Sequence, residues 1–171
     1  MRVTVACWLR PRLLLSVVAL PAALLARADI ASATGPDPQG TIYVADNGAN
    51  AIDVFAPGST GNVAPIRTIS GNLTGLAGPG DVKVDSAGNV YVSNFTNSTI
   101  TEYAPGASGN VAPINTIGGP NTGLNENDDF SLAADGTLYV GNFSSPSSPV
   151  VVFAPNASGN ATPIRGLDPL S

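Results

Sequence analysis

Glu126, Asp128 and Asp129 crowd into the stretch "NENDDF" at 125–130. Oxygen donors at this density are the raw material of a Ca²⁺ site, since that cation takes about six to eight oxygens. The spacing is not that of a calcium-binding loop, and the competing reading is a solvated acidic loop. Asp129 has a counterpart in Asp81, and Asp46, Asn94 and Asn142 share one position of a 48-residue repeat. Short carboxylates and amides at strand ends either line a polar groove or cap the strand by bonding nearby backbone. The candidate binding residues are therefore Asp46, Asp81, Asn94, Asp129 and Asn142. Calcium at Glu126, Asp128 and Asp129 is the one cofactor the sequence suggests, and no other is expected.

Catalysis has little to work with. The chain contains no histidine, which removes His-based triads, histidine metal sites and histidine general acids. Its single cysteine, Cys7, lies in an N-terminal leader, and no P-loop or dinucleotide fingerprint occurs. No catalytic residue is assigned, and the expected role is not enzymatic.

The elements that must position these residues are written three times. The stretch "VFAPGSTGNVAPIRTI" from Val54 returns as "EYAPGASGNVAPINTI" from Glu102 and "VFAPNASGNATPIRGL" from Val152. Tyr43, Tyr91 and Tyr139 keep the same phase, and the last unit carries a two-residue insertion within or beside "FSSPSSP". "DVKVD" at 81–85 alternates apolar and polar residues, the period of a strand, and "DFSLA" at 129–133 matches it. "TIYVA", "NVYVS" and "TLYVG" are continuous β-branched and aromatic runs, suited to strands covered on both faces. "SAGN" and "ADGT" supply hairpin turns. A third strand in each unit ends at Pro57, Pro105 or Pro155, and a fourth follows Pro65, Pro113 or Pro163. Proline cannot donate to a ladder, so it marks those strand limits. The sixteen-residue signature is then the turn between third and fourth strands, and none of the six positions common to all three copies (Ala, Pro, Gly, Asn, Pro and Ile) is a catalytic residue type.

Residues 1–33 follow the plan of a signal peptide: Arg2, Arg10 and Arg12, an apolar run over Leu13–Ala26, then small residues at Ala26, Ala28, Ala31 and Ala33. Cleavage after Ala28 or Ala33 is expected, giving a secreted or periplasmic protein; the run is short for a bilayer span, although an uncleaved anchor stays open. Beyond residue 33 the only cations are Arg67, Lys83 and Arg165, so the exported part is more acidic than the whole chain's net charge of −5. That balance argues against nucleic acid and anionic membrane surfaces as partners.

Four short strands per repeat is the pattern of a propeller blade. "GDVKVDSAGNVYVSNF" at 80–95, with "NDDFSLAADGTLYVGNF" at 127–143 and "GTIYVADNG" at 40–48, resembles the NHL-repeat family of bacterial exported β-propellers. The resemblance implies an all-β fold of four-stranded antiparallel blades, about three of them, the first lacking its inner strand, in an open or truncated propeller. The expected division is a linker at 34–39, repeat segments at 40–87, 88–135 and 136–166, and a tail at 167–171. An open stack leaves unpaired edges, so self-association is expected.

Family members range from ligand binders to enzymes. Propeller lyases that open cyclic antibiotics use a histidine this chain lacks, whereas propeller lactonases hold a metal through carboxylates and asparagines that Asp81, Asp129, Asn94 and Asn142 would imitate. The leading expectation is an exported, non-catalytic module that binds a protein or glycan through its loop-rich face. The alternatives are a metal-dependent lactonase relative and a truncated fragment without independent activity.

Overall fold

The computed structural model describes residues 35–144 and 149–167. The expected signal peptide, residue 34 of the linker, part of the insertion and all of the tail after Leu167 lie outside the described residues. Within them the protein is all β, with eleven strands and no helix. The first sheet has three strands: β1 (Ile42–Asp46), β2 (Ala51–Phe55) and β3 (Arg67–Ser70). The second has four: β4 (Pro79–Val84), β5 (Val90–Asn94), β6 (Thr99–Tyr103) and β7 (Asn115–Ile117). The third also has four: β8 (Asn127–Leu132), β9 (Leu138–Asn142), β10 (Val150–Phe153) and β11 (Arg165–Leu167). In each sheet, neighbours in sequence are antiparallel neighbours in space.

The strands form where apolar and β-branched residues run between turn residues. The backbone N–H of Ile66, Ile114 and Ile164, each just after a proline, donates to Val54, Glu102 and Val152 at 2.8 Å and so leads into the outer strand. Inner strands β4 and β8 both shift register, between Pro79 and Val82 and between Asn127 and Phe130. Such bulges bend a strand and re-aim its side chains, here at Asp81 and Asp129.

The core lies between successive sheets. Ile52 and Ile69 of the first meet Val90, Val92 and Tyr103 of the second. Ile100 and Ile117 of the second meet Phe130, Leu138, Val140, Val151 and Phe153 of the third. Each such side chain contributes about 1.5–3 kcal/mol on burial. The sheets stand side by side in chain order and do not close on themselves. Both-sided cover holds for β5, where Val90, Val92, Ser93 and Asn94 are buried. It fails for β1, where Ile42 and Val44 are each 41% exposed, because they alternate with Tyr43 and Ala45, which pack toward the second sheet, and no described sheet covers the opposite face.

The repeated signature does more than turn the chain. Its glycine-asparagine pair doubles back along the outer strand of the preceding sheet, forming a parallel bridge from Gly109 to Ile69 and from Gly159 to Ile117. Gly109 N–H donates to Thr68 at 2.7 Å, and Ser70 N–H donates to Gly109 at 3.1 Å. Asn110 Oδ1 accepts from Leu73 N–H at 2.7 Å while its amide donates to Asn72 at 2.8 Å. The next joint repeats this: Gly159 N–H donates to Thr116 at 2.7 Å, and Asn160 accepts from Asn121 N–H at 2.7 Å.

Candidate binding site

The loops after β1, β5 and β9 share one end of the sheets with the loops leading into β4 and β8. Hydrogen bonds tie the two sets together: Phe95 and Thr96 N–H donate to Gly78 and Ala77 at 3.0 Å, and Phe143 N–H to Glu126 at 3.3 Å. Asn50 Oδ1 accepts from Gly78 N–H at 2.8 Å, reaching across to the second sheet.

Asn94 and Asn142 build this end from within. Asn94 is fully buried; its Oδ1 accepts from Ala77 N–H at 3.0 Å and its amide donates to Thr101 Oγ1 at 3.1 Å. Asn142 Oδ1 accepts from Asn125 N–H at 2.9 Å, and its amide donates to the Gly123 carbonyl at 2.8 Å. Both side chains hold the incoming loop against the strand end, the capping role open to Asx residues there. Asp46, at the same position, instead accepts from Ala49 N–H at 2.9 Å within its own turn.

Asp81 and Asp129 lie elsewhere, on the bulged inner strands. The Lys83 ammonium pairs with Asp81 and stands 3.9 Å from Asp129. The Asp129 side chain is 84% exposed, and hydrogen bonding with Asp81 beside it pushes its carboxyl above the usual carboxylate range. Asp81 also accepts from Val82 N–H at 2.7 Å. The four residues likened to a lactonase set are thus divided: two carboxylates on the bulged inner strands, two asparagines buried under loops.

Glu126, Asp128 and Asp129 are not brought together as a cation would need. Glu126 takes a hydrogen bond from the Ser144 hydroxyl. Asp128 adjoins Gly80 of the second sheet, and its carbonyl accepts from Ser93 Oγ at 2.6 Å. Among the described residues no three His, Cys, Asp or Glu side chains converge on a common point suited to a metal.

Two groupings were missed by sequence reasoning. On the loop-rich end Phe143 is 76% exposed and lies against Phe95, ring centroids 6.0 Å apart and tilted by 59°. The repeated "NF" at 94–95 and 142–143 was the available signal, an aromatic directly after a strand-end asparagine. At the opposite end Asp37, in the supposed linker, accepts from both the Arg67 guanidinium and the Tyr43 hydroxyl. The Arg67 hydrogen bond holds the Asp37 carboxyl below its usual range. Desolvation, then the Asp37 hydrogen bond, pushes the Tyr43 hydroxyl up to about 12. Arg67 Nε also donates to Ala107 at 3.2 Å, so the cluster joins the linker, the first sheet and the second.

No protein-family model matches the chain, and no curated protein does.

Proposed function

We propose that the chain is an exported, non-catalytic repeat module of open β-propeller type, NHL-like, that binds a protein or glycan through its loop-rich end. Support for the architecture comes from the 48-residue phase of the tyrosines and from sheets that are sequential meanders joined in the same way twice. The observation that carries the binding reading is the solvent-facing Phe143 set at a tilt against Phe95. An exposed aromatic flanked by polar loops is an inexpensive anchor: it brings apolar area without ordering a long side chain. The polar rim is supplied by Asn97, Asn125 and Ser144, whose groups already bond neighbouring loop backbone or side chains.

The test is a binding screen of the full chain against a glycan panel and against purified cell-surface proteins, run in parallel with Phe143→Ser. A ligand lost in the variant supports the reading and decides between its two arms. Binding indifferent to Phe143, or lactone hydrolysis by a metal-loaded preparation, overturns it.

A further inference from the structure

One position in each sheet recurs as a cross-strand trio on the second, third and fourth strands of the repeat. In the first sheet Tyr43 pairs with Val54 and Val54 with Arg67. In the second Tyr91 pairs with Glu102 and Glu102 with Asn115. In the third Tyr139 pairs with Val152 and Val152 with Arg165. The first and third trios are identical in residue type and register.

The first two trios each hold a carboxylate. In the first sheet it is Asp37, three residues before Gly40, bonded to both Tyr43 and Arg67. In the second it is Glu102 of the trio itself, which accepts from Tyr91 at 3.0 Å and from Asn115 at 3.2 Å. The third trio has neither source. The place of Asp37 is taken by Ala133, three residues before Gly136, and the place of Glu102 by Val152. Tyr139 is 37% exposed, Arg165 is exposed, and neither has a carboxylate partner among the described residues.

We infer that Tyr139 and Arg165 form a receptor for an aspartate or glutamate side chain on an extended peptide segment of a partner. Arg165 supplies a planar fork of donors suited to a carboxylate, and the Tyr139 hydroxyl adds a third. The chain's own "GPDPQG" at 35–40 shows the form such an occupant takes, because Pro36 and Pro38 flank Asp37 with fixed φ as it enters the first slot, before the chain turns at residues 39–40. In that slot the second sheet closes one side, with Pro36 against Gly88 and Arg67 reaching Ala107. Among the described residues no sheet follows β11 to cover the third slot, and its affinity is expected to be modest. It lies at the hairpin end of the outer strands, away from Phe143, and does not depend on the binding role of the loop-rich end.

The test is a titration of the full chain with the blocked peptide GPDPQG and its Asn counterpart GPNPQG, followed at the Arg165 Nε–Hε and Tyr139 ring resonances. The Asp peptide is expected to shift both resonances and to bind at least about tenfold more tightly than the Asn peptide. Arg165→Met should abolish that preference and Tyr139→Phe reduce it. Both variants should keep the wild-type unfolding midpoint, since the Arg165 side chain makes no hydrogen bond within the described residues. Equal binding of the two peptides, or no shift up to about 10 mM, overturns the inference. So does a change in the free chain's Arg165 resonance on Asp168→Asn, which would mean that the tail fills the slot in cis.

Discussion

The outer edge of the sheets and their loop-rich end are built from the same repeat and have diverged to different degrees. At the outer edge the glycine-asparagine joint is reproduced with the same partners and nearly the same distances between sheets one and two and between two and three. At the loop-rich end Asp46, Asn94 and Asn142 share a position, yet among the described residues Asp46 bonds its own turn while the asparagines hold an incoming loop. A joint that must place one backbone against another admits few residues. A loop that ends in solvent admits many, which is where recognition is expected to vary.

The largest effect should come from the joint's glycines. Gly71 and Gly119 have φ of 122° and 125°. A Cβ on Gly71 would lie 2.5 Å from Asn110 Oδ1, and one on Gly119 2.7 Å from Asn160 Oδ1. Gly71→Ala and Gly119→Ala should each lose about 2–4 kcal/mol in urea unfolding, since the backbone region is closed to alanine and the asparagine must also move. A loss below about 0.5 kcal/mol would show that the joint does not bear on stability.

The strands and their order within each repeat were readable in the sequence. Their signals are local: alternation in "DVKVD", and proline and glycine at strand limits. The joint was only half readable. Gly109 and Asn110 announce a turn, but nothing local says that Asn110 reaches Leu73. The Asp37 cluster was hidden for the same reason. "GPDPQG" has the composition of a linker, and its partners Tyr43 and Arg67 are separated from each other by most of a sheet. Phe143 stayed unnoticed because exposure depends on which loops surround a residue, not on its type.

The Asp37 cluster fastens the end opposite the loops, and its response to pH distinguishes it from the joint, which has no titrating group. The folded-state pKa of Asp37 is lowered, chiefly by Arg67. Its stabilisation is therefore present above the ordinary carboxylate value of about 4 and fades as pH falls through the lower folded value. Tyr43 is raised to about 12, so its share is present below about 10 and fades as pH rises through 12. Asp37→Asn should lose about 1–3 kcal/mol at pH 7, because Arg67 is left half-buried without its anion. The gap from wild type should narrow below about pH 4. A gap that stays constant from pH 7 to pH 3 would assign the loss to packing.

A smaller contrast isolates the joint's hydrogen bonds from its turn. Asn110→Ala removes the acceptor for Leu73 N–H and the donor to Asn72, and should cost about 1 kcal/mol. Asn62 occupies the same place in the first copy, is exposed, and has no partner among the described residues. Asn62→Ala should stay within about 0.5 kcal/mol of wild type. Equal losses would mean that the asparagine acts within its own turn and that the bond across the sheets adds nothing.

The smallest effect on stability is expected where the effect on binding is largest. Phe143 is mostly in solvent, and its tilted contact with Phe95 contributes about 0.5–1.5 kcal/mol at most, less at an exposed site. Phe143→Ser should therefore shift the unfolding midpoint little. Phe95→Ser removes the ring beneath it and should act on binding in the same direction through loss of the platform. If Phe143→Ser destabilised the fold as strongly as a joint glycine variant, the ring would belong to the core, and the loop-rich end would lose its anchor as a recognition surface. A variant that folds as wild type yet no longer binds keeps the two regions apart: the edge holds the sheets, and the free end meets the partner.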